Sequence, residues 1–315
     1  GMISTMETLE CKNIPYAGLG RNLREARSPA YLDTPAGNVS LVAACSHFPT
    51  NCEAGDQRPD IQGRPGLSPL KIKTKFIVDD KWFDNIRELS KLLGLEDVKK
   101  EDYIDKGLVI PNEDENNFVF LNPKGENLSF VKGEDCKISY EMNKEDKESI
   151  IKEIKRANKQ SDWVLMSLHY HAGKNGHIND DSVPEFLTSF AHECIESGAD
   201  AFIAHGPHLM KGIEIYDGKP IFYRLGNFFF QTKILERLPT EMYKNLEFYS
   251  VEEDLGYENV PSDLYDLMES DEEGKPRGFL SDERYWETFL PVIEFNEGKL
   301  KKIELYPVEL GMNAP

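Results

Sequence analysis

The runs Ser167-Leu168-His169-Tyr170-His171 and Ile203-Ala204-His205-Gly206-Pro207-His208 hold four of the chain's seven histidines, and His177 follows the first run closely. Neutral imidazole is the commonest nitrogen ligand for zinc, manganese or iron. A single histidine in a loop reads as a residue bonded to backbone. Two groups at the ends of two buried strands read instead as metal ligands. On a strand, residues i and i+2 share a face, so His169 and His171 can converge on one point. His205 and His208 flank a Gly-Pro turn that can fold both rings inward. His177, in a Gly/Asn-rich loop, is balanced between the two readings, while His192, in Ser189-Phe190-Ala191-His192-Glu193, reads as a packed or capping residue. His47 could reach the edge of the same site but reads as structural.

Apolar segments of strand length must position these rings. Residues 39–45 (VSLVAAC), 163–169 (WVLMSLH) and 200–205 (DAFIAH) predict buried strands. Their C-terminal ends are where open α/β sheets place ligand sites. Residues 184–198 predict a helix started by Pro184 and stopped by Gly198. Further helices are expected over 3–12, 82–93 and 144–160. Hairpins are expected over 117–133, over 212–228 with its turn at Asp217-Gly218, and between 289–295 and 299–308 through Asn296-Glu297-Gly298. The polar, Pro/Gly-rich stretch 54–70 reads as a functional loop, 71–160 as a more variable middle region and 241–287 as an acidic, loop-rich insertion. Helices alternating with strands give an α/β chain, read as one domain over 1–315.

Composition narrows the partners. The chain has 315 residues, with 56 acids against 37 bases and a net charge of −19, which disfavours nucleic acid and anionic lipid. The five cysteines form no CxxC pair and read as reduced thiols. No apolar run approaches the roughly 20 residues a membrane span needs, and no signal peptide is visible, so the expected location is cytoplasmic. The expected partner is an anionic small molecule or polymer, with a homo-oligomer as a possible assembly.

Residues 162–231, DWVLMSLHYHAG through PEFLTSFAHECIESGADAFIAHGPHLMKGIEIYDGKPIFYRLGNFFFQ, resemble the CapA family of poly-γ-glutamate capsule biosynthesis proteins. Residues 14–46, 54–70, WETFLPVIEF and KKIELYPVELG extend the resemblance over nearly the whole chain. It implies a calcineurin-like metallophosphatase fold, a four-layer α/β/β/α sandwich around a two-metal site. His169, His205 and His208 become the implied ligands of divalent manganese, iron or zinc. His171 is an implied further ligand or supporting group and takes the catalytic assignment, and Asn227 falls in a short polar turn beside the site. The resemblance implies a pattern that commonly has glutamate where this chain has Ala172, glycine where it has Ala204 and serine where it has Arg224. The first change removes a candidate acid/base, and the last favours an anionic substrate group.

Arg58, Arg64 and Arg224 are therefore candidate anion clamps, with pairing of Arg58 or Arg64 to Asp56 or Asp60 as the alternative for the first two. The family's first metal motifs, an Asp, a further acid and an Asn-His pair, are expected ahead of residue 1, so the chain reads as a fragment or the product of a late start. Without a bridging carboxylate, weak metal binding and little turnover are expected. The implied function is metal-dependent hydrolysis of a phosphate ester or polymer amide. The alternatives are a non-catalytic capsule-assembly factor and a purely structural domain with buried histidines.

Overall fold

The computed structural model describes residues 1–106, 113–123, 125–173, 176, 182–228, 236–238, 271, 273–275, 277–296 and 298–311. These fall into two compact units. The first comprises Gly1–Pro207, Lys211–Tyr223 and Glu297–Lys299. The second comprises His208–Met210, Arg224–Asn296 and Leu300–Pro315.

In chain order the first unit contains α1 (Met2–Cys11), β1 (Leu19–Gly20), α2 (Leu23–Arg27), β2 (Ala30–Thr34), β3 (Gly37–Cys45), β4 (Gly66–Leu67) and β5 (Ile72–Val78). It continues with α3 (Asp80–Leu92), α4 (Leu95–Val98), β6 (Asn117–Phe120), β7 (Leu128–Lys132), β8 (Lys137–Met142) and α5 (Lys144–Ala157). It closes with β9 (Trp163–His169), α6 (Glu185–Glu196), β10 (Ala201–His205), β11 (Ile213–Tyr216) and β12 (Lys219–Phe222).

The main sheet has the order β11-β12-β10-β9-β3-β2. Its four central strands run parallel, and β11 and β2 are antiparallel edges. Period-two alternation sends Val164, Met166 and Leu168 of β9 to one face, where they are fully buried. There they meet Ile150, Ile151 and Ile154 of α5 and Phe186, Leu187, Phe190 and Cys194 of α6. Burying each such large apolar side chain contributes about 1.5–3 kcal/mol. This core holds the strands that end at His169 and His205.

Local chemistry sets the helix boundaries. The Asn143 carboxamide accepts from the Asp146 N–H at the start of α5, and Asp79 caps α3 through the Trp82 N–H. At the end of α6, Gly198 sits at φ 111°, and the Ala199 N–H reaches back to the Cys194 carbonyl. Three short elements, β1, α2 and β2, lie between the first helix and β3, where the sequence gives no helix or strand signal. Asn22 caps the short α2 through the Glu25 N–H, and β2 pairs with β3 through the turn at Gly37. Their short spans carry too few apolar positions to show a period.

The middle region contains a second sheet of order β6-β7-β5-β8, itself mixed. Residues 117–133 form the expected hairpin, β6 against β7. The strands β5 and β8 around it do not stand out in the sequence, because lysines and hydroxyls break their alternation. Ile72, Tyr140 and Met142 pack this sheet onto the core under α6, with the Tyr140 and Phe186 rings 5.8 Å apart.

The second unit holds the hairpin of β13 (Glu287–Asn296) and β14 (Lys299–Glu309), apart from Lys299 itself. Two short 3-10 turns, Gly278–Ser281 and Glu283–Tyr285, precede it. The protein is thus α/β with several mixed sheets. Among the described residues no helix is long and apolar enough to cross a membrane, and all five cysteines are free thiols.

Candidate functional site

The parallel pairing of β9 with β10 sets His169 opposite His205, and the pairing of β3 with β9 sets Cys45 opposite His169. Registered residues of parallel neighbours point to the same face, so both imidazoles leave the sheet side by side. Their Nδ1 atoms are 3.2 Å apart. Two nitrogens each about 2.0–2.1 Å from one tetrahedral ion stand about 3.3–3.4 Å apart, so the pair matches one edge of such a site. On its far side the His205 ring meets a hydroxyl, with Nε2 3.1 Å from Ser167 Oγ. Burial depresses the His205 pKa below its ordinary 6.5, because the charged imidazolium is the form that loses most on leaving water. His205 therefore stays neutral at physiological pH, the form that can donate a lone pair to a metal.

Two more imidazoles extend the group. The His171 ring lies 5.0 Å from that of His169, and the His47 ring 4.7 Å from that of His171. His47 follows β3 just as His171 follows β9, so neighbouring strand ends deliver both. The Cys45 thiol is turned to the His47 carbonyl at 3.1 Å, and burial raises its pKa, which keeps it protonated and unreactive. Among the described residues no group of three or more His, Cys, Asp or Glu side chains is arranged to hold one ion. The donor set that fits a metal edge is the His169–His205 pair.

A glycine makes this placement possible. Gly206 sits at φ 136°, and a Cβ there would lie 2.1 Å from the Tyr170 carbonyl oxygen. The chain after His205 runs against the end of β9, where the Tyr170 N–H donates to the His205 carbonyl at 2.9 Å. Only a residue without a side chain allows that approach.

The other sequence candidates have neighbours of their own. His208 belongs to the second unit, with φ 53°. Its Nδ1 is 2.8 Å from the Asn227 carboxamide oxygen, and Asn227 Nδ2 donates to the Tyr285 carbonyl at 3.1 Å. Arg224, in the same unit, is fully buried. In the loop 54–70, Arg58 pairs with Asp60 at 3.2 Å and both side chains are well exposed. Arg64 pairs with Glu53 at 3.2 Å and also donates to Asn51. That loop returns to the sheet at Pro69, bridged to Cys45. His177, Asp180 and Asp181 lie outside the described residues.

His192 projects from α6 to the β11–β12 hairpin. Its Nε2 is 3.0 and 3.1 Å from the two Glu214 oxygens, and its ring stacks on Tyr216 at 3.7 Å. The Tyr223 hydroxyl donates to the same carboxylate and, as the largest influence, holds the Glu214 pKa below its ordinary 4.5, with His192 adding to the effect. Ser167 and the ring contact of His47 with His171 escape the sequence reading. The signal for Ser167 was its i, i+2 spacing from His169, which places its hydroxyl on the imidazole face of β9.

Comparison with known proteins gives this arrangement its relatives. Two uncharacterised proteins of Sinorhizobium fredii (strain NBRC 101917 / NGR234), y4sH and y4uA, are each 27% identical over 321 aligned residues. Each match covers 99% of this chain and 62% of the relative, so the chain spans less than two thirds of their length. The PGA biosynthesis protein CapA of Bacillus subtilis (strain 168) is 35% identical over 85 residues, 27% of this chain and 21% of that protein. A solved structure of a hypothetical protein from Thermus thermophilus covers 64% of each chain at 14% identity, with a TM-score of 0.27. The family model for the bacterial capsule synthesis protein PGA_cap matches residues 1–232, well over half of the sequence, and the chain belongs to that family.

Proposed function

We propose that this chain serves capsule polymer biosynthesis as a metal-dependent hydrolase, cleaving a phosphate ester or a polymer amide bond. Family membership and the CapA relative support the capsule role. The observation that carries the hydrolytic part is the 3.2 Å separation of His169 Nδ1 and His205 Nδ1, matched to one edge of a divalent cation's coordination shell. Manganese, iron or zinc there would supply Lewis-acid polarisation of a carbonyl or phosphoryl group and activation of water. In this reading the sheets adopt the metallophosphatase α/β/β/α layering.

His169 and His205 would hold the cation. His171, its ring 5.0 Å from that of His169 and 4.7 Å from that of His47, would accept or return a proton. Arg58 and Arg64 bind an anionic substrate by exchanging their present carboxylate partners for it, a low-cost exchange because both pairs are solvent-accessible.

A second reading, a non-catalytic assembly factor that keeps the fold, is favoured by Ala172 where the family resemblance implies glutamate. The lack of a three-donor group among the described residues also favours it. Calorimetric titration with manganese and zinc, beside assays on an aryl phosphate and on poly-γ-glutamate, separates the two. The hydrolase reading expects weak metal binding and low turnover, both abolished by His169→Ala. Metal-independent polymer binding without turnover would support the assembly factor.

A further inference from the structure

We propose that Ser167 is a positioning residue that holds His205 in the tautomer whose bare Nδ1 faces His169. The inference rests on the cation reading above but concerns a property of the metal-free chain. Neutral imidazole carries one proton, and whichever nitrogen bears it loses its lone pair to any metal. His205 has a polar neighbour at each ring nitrogen, Ser167 Oγ at 3.1 Å from Nε2 and His169 Nδ1 at 3.2 Å from Nδ1.

Two proton arrangements satisfy those distances. In one, Nε2–H donates to the serine oxygen and His205 Nδ1 presents a lone pair toward His169, whose Nδ1–H donates to it until a cation replaces that proton. In the other, the serine O–H donates to Nε2, and His205 Nδ1–H points at His169 and blocks the edge. Nε2–H is the ordinary tautomer of neutral histidine, and a hydroxyl oxygen has two lone pairs to receive it. Both preferences point to the first arrangement.

The backbone fixes the contact. Ser167 lies two residues before His169 on β9, and in the parallel register it stands opposite Ile203, two residues before His205. The hydroxyl therefore sits one step behind the ring, against the nitrogen directed away from His169. Partners that orient a ligand imidazole through its other nitrogen typically change metal affinity about 10–100-fold when removed.

The test uses the full chain without metal, with histidine tautomers read by long-range proton–nitrogen NMR correlation. A second arm titrates manganese and zinc by calorimetry. The expected result is His205 as the Nε2–H tautomer in the wild type. Ser167→Ala should give a mixture of tautomers with an unchanged circular dichroism spectrum and metal affinity lower by about 10–100-fold. Ser167→Thr, which keeps the hydroxyl and suits a strand, should restore both. An Nδ1–H tautomer in the wild type, or one indifferent to Ser167→Ala, overturns the proposal whatever the metal arm shows. A serine-dependent tautomer in a chain that binds no metal supports the positioning role and defeats the cation reading instead.

Discussion

His205 and His192 sit on the same α/β unit in contrasting company. His205 lies at a strand end between a hydroxyl and a second imidazole, and burial holds it neutral. His192 lies on a helix against the Glu214 carboxylate and flat on the Tyr216 ring. The first environment keeps a lone pair available, which is what a ligand needs. The second occupies the ring with an acid and an aromatic face, which ties α6 to the β11–β12 hairpin. Residue type is the same in both; the neighbours decide between donor and clamp.

The sharpest way to break that contrast is metal titration of single variants. His169→Ala or His205→Ala should lower manganese or zinc affinity by more than about 100-fold, beyond the loss expected for a supporting residue. His192→Ala should change it less than about threefold, since one helical clamp adds no ligand. Equal losses would collapse the distinction between the two histidines.

A pair of glycines probes the backbone beneath it. Gly206→Ala must resolve a Cβ 2.1 Å from a carbonyl oxygen as well as a positive φ, so a loss of at least about 3 kcal/mol is expected in denaturant unfolding. Gly218→Ala, in the hairpin turn with open space around it, meets only the left-handed φ of 72° and should cost about 1–2 kcal/mol. A Gly206→Ala protein as stable as the wild type would show that the His205 bend is not held against β9 as described.

On the clamp side, His192→Ala should cost about 0.5–1.5 kcal/mol through the lost hydrogen bond, measured by thermal unfolding at neutral pH. The smallest effect is the pH dependence of Glu214. Its folded pKa is depressed, so its contribution to stability is present above the ordinary 4.5 and is lost as pH falls through the lower folded value. Glu214→Gln should therefore flatten the fall in Tm below pH 4.5, and an unaltered acid limb would assign that fall to other carboxylates.

Apolar runs and turn residues already marked the strands 39–45, 163–169 and 200–205, the helix ended by Gly198 and the hairpin at Asp217-Gly218. These signals are local: a buried strand needs a short apolar run, and a tight turn needs residues that accept positive φ. The same locality hid β2, β5 and β8, whose short or lysine-rich segments become strands only because neighbours supply their hydrogen bonds.

Residue pattern was enough to establish that His169 and His205 end two strands. Strand order, register and the Gly206 approach set their Nδ1 atoms 3.2 Å apart and placed Ser167 behind one ring. Folding in three dimensions also drew the His47 ring to 4.7 Å from that of His171, assigned His192 to Glu214, and paired Arg58 with Asp60. Chain pattern fixes which face a side chain takes on its own strand, because the backbone repeat is local. Which side chains then meet depends on pairing between segments far apart in the chain, and that is set by the packing of the whole sheet against its helices.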